Sequence, residues 1–112
     1  MALVLSVDTL KKSDINDKFS VPKEWVDEYW PNIGNNCDET IRVRHQVSLW
    51  SEKWYDFVLS TRANGPKKTV FKRKGWQMFV KDNDLRERDI VRFGKRDGET
   101  HFTIIIERKH VL

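Results

Sequence analysis

Ile41-Arg42-Val43-Arg44-His45-Gln46-Val47 is followed, a few residues on, by Trp54-Tyr55-Asp56-Phe57-Val58-Leu59-Ser60. In the first run Ile41, Val43, His45 and Val47 alternate with Arg42, Arg44 and Gln46, the period of a strand with one buried face. In the second, Tyr55, Phe57 and Leu59 form the buried face and oppose Trp54, Asp56, Val58 and Ser60. Residues 49–53 read as the turn between two central strands.

Working outward to the N-terminus, residues 3–7 read as a first strand and residues 9–18 as a polar loop. Phe19-Ser20-Val21 is a short strand ended by Pro22. Pro22 suits the first position of a helix, where its missing N–H costs nothing. Trp25, Val26, Tyr29 and Trp30 then share one helical face, and Pro31 stops the helix. Residues 32–39, with Gly34, Asn35 and Asn36, read as a turn-rich loop. Toward the C-terminus, Asn64-Gly65-Pro66 breaks the chain before a short strand, Thr69-Val70-Phe71. Trp76, Phe79 and Val80 form a second helical face, and Leu85 closes the turn after it. Residues 90–93 read as a strand, Asp97-Gly98 as a hairpin turn, and Phe102, Ile104 and Ile106 as the last strand. The expectation is a mainly β single domain over residues 1–112, with seven strands and two short α-helices. A closed or nearly closed barrel removes the exposed edges that an open sheet of this size would have.

Only 38% of the 112 residues are hydrophobic, but 13 are aromatic, five of them Trp, and aromatics bury enough area each to build a core. No apolar run approaches the roughly 20 residues of a membrane span, and the first residues do not resemble a signal peptide. A single Cys37 and three scattered His exclude a disulfide framework and a multi-Cys zinc site. No phosphate-binding Gly loop and no partnered nucleophile are visible, so neither an enzyme, a cofactor, a metal nor a small-molecule substrate is expected. Charge is informative. The chain carries a formal +4 overall, yet residues 57–81 contain Arg62, Lys67, Lys68, Lys72, Arg73, Lys74 and Lys81 and no acid. A concentrated basic window is an electrostatic footprint for a polyanion.

Several stretches resemble the plant-specific B3 DNA-binding domain of the auxin response factors, the RAV proteins and the reproductive-meristem proteins. Lys12-Ser13-Asp14-Ile15, then Phe19-Ser20-Val21-Pro22-Lys23, then Tyr29-Trp30-Pro31 are similar to the start of that domain. Gly75-Trp76-Gln77-Met78-Phe79-Val80-Lys81 is similar to its Gly-Trp-x-x-Phe-Val run. Leu85-Arg86-Glu87-Arg88-Asp89-Ile90-Val91-Arg92-Phe93 is similar to its Leu-x-x-Gly-Asp-x-x-x-Phe run. Arg88 stands where that pattern has Gly, so a residue with a Cβ must make the turn there. The divergent arms look most like the reproductive-meristem branch. The resemblance implies a seven-stranded open pseudobarrel. It also implies that two loops, residues 9–18 and 62–69, grip double-stranded DNA in the major groove.

Each candidate contact has a plainer structural reading beside it. Lys67 and Lys68 suit phosphate oxygens, or are simply solvated. Arg62 can take guanine O6 and N7 together, or sit in an ion pair at the barrel rim. Asn64 can pair with adenine, but before Gly it is first a turn residue. Lys11, Lys12 and Lys18 are candidate phosphate or base contacts, and Asn16 a candidate base contact. Lys72 and Arg73 add phosphate contacts if they face DNA. Asp14 is assigned to scaffold, because a carboxylate facing phosphate is repelled while one facing backbone N–H groups shapes the loop. Trp25, Trp30 and Trp76 read as core; Trp50, in the turn, reads as exposed. The function expected is sequence-specific duplex DNA binding by a monomeric, nuclear transcription-factor domain. The alternatives are a protein-interaction barrel that has lost DNA binding, and a single-strand binder that stacks bases on its aromatics.

Overall fold

A computed structural model describes residues 5–34, 36–62 and 68–108. Its elements in chain order are β1 (Ser6–Thr9), α1 (Lys12–Asn16), β2 (Phe19–Ser20), α2 (Lys23–Tyr29), β3 (Cys37–Ser48), β4 (Ser51–Arg62), β5 (Lys68–Phe71), α3 (Arg73–Asp82), β6 (Ile90–Gly94) and β7 (Phe102–Glu107). All seven strands join one sheet in the order β1-β6-β7-β3-β4-β5-β2. The β3–β7 pairing is parallel and the others are antiparallel.

The two alternating runs form the longest ladder, from Cys37↔Thr61 at one end to Ser48↔Ser51 at the other. Ile41, Val43 and His45 point inward from β3, and Tyr55, Phe57 and Leu59 from β4. Val47 has the right parity but is exposed, at the register shift between Gln46 and Ser48 beside the hairpin tip. Inside the curl, Trp25 of α2 stacks on Phe93 at 4.9 Å, and Phe93 stacks on Phe102 at 5.0 Å. Such pairs contribute about 0.5–1.5 kcal/mol each beyond their area burial. α2 crosses the opening between the edge strands. Its Trp25 also meets Phe19 of β2, while the Tyr29 hydroxyl donates to the Phe93 carbonyl (3.1 Å) and lies 3.2 Å from Ser6 Oγ of β1. The pseudobarrel is thus open in its hydrogen bonding and plugged by a helix.

Several expectations shift. Residues 9–18 are not all loop. Thr9 ends β1, and Lys12–Asn16 form a short helix, so the described residues hold three helices rather than two. Asp14 makes that helix possible, since its Oδ2 accepts from the Lys11 backbone N–H at 2.9 Å in the first turn. Strand β3 begins at Cys37, inside the expected turn-rich loop, because Cys37–Thr40 pair with β4. The central turn narrows to Leu49-Trp50. β1 is displaced toward Thr9 relative to residues 3–7, of which Leu3 and Val4 lie outside the described residues. Asp97-Gly98 does turn the β6–β7 hairpin. Gly98 takes φ +85 at the third position of a turn closed by Glu99 N–H to Arg96 O, within a loop longer than two residues.

Candidate nucleic-acid interface

The first arm is held from below by α3. Trp76 Nε1 donates to the Asp14 carbonyl at 2.6 Å, and Gln77 Nε2 donates to the carbonyls of Ile15 (2.9 Å) and Asp17 (2.6 Å). These carbonyls belong to the C-terminal part of α1, which has no further helical turn to take them. Asp14 is 3% exposed and serves the scaffold, as expected; its other oxygen lies 3.5 Å from the Ser20 N–H. The root of the arm is clamped by Leu10, whose N–H donates to Asp89 O and whose carbonyl accepts from Arg88 N–H. Lys11, Lys12, Asn16 and Lys18 are all exposed on this braced segment.

The second arm leaves β4 at Arg62 and returns at Lys68, and these two residues are cross-strand partners. Asn64 and Lys67 lie outside the described residues. Like charges directly opposed are unfavourable, and Asp38 partly offsets this by pairing with Arg62. Its Oδ1 accepts from Arg62 Nη2 at 2.9 Å and its Oδ2 from Lys72 Nζ at 2.9 Å. The Lys72 ammonium, then the Ser60 hydroxyl and Arg62, hold the Asp38 carboxyl down at about 2. Arg62 Nη1 also donates to the Thr61 carbonyl at 2.9 Å. In the free protein, then, Arg62 occupies the rim ion pair that was its plainer reading.

The sheet register joins the two arms. Phe19 pairs with Phe71 at the end of the β2–β5 ladder, with Lys18 preceding Phe19 and Lys72 following Phe71 in their chains. Lys72 caps α3, whose first turn carries Arg73 and Lys74 and no acid. Cations at a helix N-terminus oppose the helix dipole and forgo about 0.3–1 kcal/mol each, whereas an anion placed there is favoured by both. The fold therefore gathers Lys18, Arg62, Lys68, Lys72 and Arg73 around the β2–β5–β4 end of the sheet. Lys11 and Lys12 stand at the other end of α1. Asp38, Trp76 and Gln77 went unnoticed as parts of this region. The one signal in the sequence is the window of seven cations without an acid, so that any counterion supplied by the chain lies outside it.

The aromatics lie away from this region or inside. Trp25, Trp30 and Trp76 are buried, Trp50 is 95% exposed, and Trp54 is 40% exposed under the Arg42 guanidinium. Trp50 sits at the hairpin tip, one strand length from Arg62, about 35–40 Å at the rise of an extended strand. Among the described residues no group of three or more His, Cys, Asp or Glu is placed to hold a metal ion, and no helix is long and apolar enough to cross a membrane.

The family model of the B3 DNA binding domain matches residues 6–110. The chain belongs to this family. A comparison with curated proteins finds no match. Among solved structures, the B3 fold here is similar to the Arabidopsis FUS3–DNA complex, at TM-score 0.75 and 16% identity over 96% of this chain and 98% of that one. It is similar to the Arabidopsis thaliana transcription factor LEC2–DNA complex, at TM-score 0.77 and 17% identity over 97% of both chains. It also resembles a hypothetical Arabidopsis thaliana protein, at TM-score 0.60 and 23% identity over 95% of this chain and 91% of that one. The expected fold class, a mainly β pseudobarrel, is the one these structures share. Seen as a B3 domain, the motif glycine Gly75 has a physical role: a Cβ there would run into the Asp56 carbonyl, with the carbonyl carbon at 3.1 Å, so Gly75 lets α3 lie directly on β4.

Proposed function

We propose that this B3 domain recognises a sequence in double-stranded DNA as the DNA-binding part of a plant transcription factor. It acts in the nucleus, as a monomer, and it binds without catalysing a reaction. The observation that carries the reading is the exposed cation group at the end of the sheet, where the register sets Arg62 beside Lys68 and the β2–β5 ladder ends between Lys18 and Lys72, in a chain of this family. The two loops enter the major groove from a rigid barrel. Lys11, Lys12, Lys18, Lys68, Lys72 and Arg73 meet phosphates and set register, while Arg62 and Asn16 read base edges. FUS3 and LEC2, which share this fold, form complexes with DNA, and this supports the same choice here. A single-strand reading would need exposed aromatics among the arm cations, whereas the exposed Trp50 and Trp54 lie toward the tip of the β3–β4 hairpin.

The test is an NMR titration of isotope-labelled protein with a random-sequence duplex at two salt concentrations. Salt-sensitive shifts confined to residues 9–18 and 62–74 are expected. Absence of shifts at low salt overturns the function.

A further inference from the structure

Asp38 is an acid set between two of the cations of this surface. It opens β3 opposite Ser60, and its two oxygens hold Arg62 and Lys72, residues from two different elements. Its side chain is 39% exposed, and those of Arg62 and Lys72 are 47% and 46% exposed, so an approaching duplex reaches all three. With the carboxyl at about 2, it stays ionised throughout the physiological range.

We propose that Asp38 is a specificity-determining residue, an internal counterion that competes with phosphate for Arg62 and Lys72 and so suppresses binding to the wrong sequence. The inference rests on the DNA-binding reading above. Its physical basis is a difference between two kinds of ligand. A phosphate is an anion: to take Arg62 or Lys72 it must displace the carboxylate or lie near it and be repelled. Either way the triad presents one net positive charge instead of two. A guanine edge is neutral and presents only acceptors, so it need not displace the carboxylate. Arg62 has five N–H hydrogens, and Asp38 Oδ1 and the Thr61 carbonyl engage only part of them, with the Cys37 carbonyl at 3.5 Å a third, longer contact. Among the described residues nothing else engages the remaining hydrogens, which can meet a base while the guanidinium stays pinned. The same contacts hold it in one orientation, which lowers the ordering cost of reading that base. Asp38 thus opposes the sequence-independent part of binding and spares the sequence-dependent part.

The experiment measures affinity and salt slope for two duplexes, one recovered from a random pool by site selection and one of the same composition scrambled. For Asp38→Asn, the scrambled duplex is expected to bind about five-fold tighter near 0.15 M salt for each extra phosphate neutralised, with a slope steeper by about one per phosphate. The selected duplex gains less, so the ratio of the two affinities falls. Asp38→Glu keeps the charge and is expected to keep the wild-type slope. In an Arg62→Ala, Lys72→Ala background the Asp38→Asn effect is expected to disappear. If wild type binds duplex with salt dependence and Asp38→Asn leaves the slope and the ratio unchanged, the inference is overturned and the function stands. If Asp38→Asn weakens both duplexes equally, Asp38 is only a structural brace. If wild type binds neither duplex, the function falls and the inference with it.

Discussion

At the scale of single residues, Gly75 and Arg88 show opposite uses of the same chemistry. Gly75 sits in a helix, where Ala is intrinsically better by about 1 kcal/mol, yet its Cβ would meet the Asp56 carbonyl and the Phe57 Cα at 3.4 Å. These are backbone atoms of β4 and cannot rotate away. Gly75→Ala is therefore expected to destabilise by about 3 kcal/mol, the upper end of overpacking costs, read as a fall in the denaturation midpoint. Arg88 lacks that excuse, since it takes φ +79 at an exposed turn while its N–H donates to Leu10 O. The left-handed region costs a residue with a Cβ about 1–2 kcal/mol, and Gly carries an entropic penalty of about 0.5–1 kcal/mol. Arg88→Gly is expected to raise stability by the difference, about 0.5–1 kcal/mol, measured by chemical denaturation. The cations divide by type. Arg62→Ala is expected to lose about 1–3 kcal/mol on the preferred duplex and to relax specificity, whereas Lys68→Ala weakens every duplex alike and makes the salt slope shallower by about one. An even loss from Arg62→Ala would make it a phosphate contact.

At the scale of elements, α1 is too short to persist alone, because a single turn fixes many dihedrals for few hydrogen bonds. It persists because α3 takes its C-terminal carbonyls through Trp76 and Gln77. Gln77→Ala removes two of those bonds and is expected to cost about 1–2 kcal/mol, with faster amide exchange confined to residues 12–18. DNA affinity falls with an unchanged salt slope, because no cation is lost; a changed slope would show that Gln77 contacts phosphate indirectly. The Gly-Trp-x-x-Phe-Val run is in this light one device. Gly75 seats the helix, Phe79 and Val80 fill the core, and Trp76 reaches through to the arm.

At the scale of the whole molecule, the aromatic core encloses a buried imidazole. His45 is 5% exposed, meets the edge of Phe79 at 5.4 Å, and has no hydrogen-bond partner at Nδ1. Burial, then Lys53 and Arg108, push its pKa below the usual value. The unfolded chain therefore takes up a proton that the folded chain resists. Stability is complete above the unfolded value of about 6.5 and falls as pH drops below it, levelling off beneath the folded value. His45→Phe is expected to remove this part of the loss as pH falls below about 6.5, followed by denaturant titration at each pH. An unchanged profile would place the acid sensitivity in other groups. Asp38 titrates at about 2, so its ion pairs with Arg62 and Lys72 persist through that range.

By themselves, the alternations at 41–47 and 54–60, the two apolar helical faces and the acid-free window 57–81 determined the β-rich class, the core and the sign of the ligand. These are periodic or additive properties, and they survive reading along the chain. Tertiary structure alone decided that α1 persists beyond its local Asp14 cap, that Asp38 neutralises Arg62 and Lys72, and that Gln77 braces the arm. Each depends on groups 24 to 62 residues apart in sequence meeting within about 3 Å. Propensity speaks for one segment at a time. A counterion or a buttress exists only once the sheet register has brought two segments together.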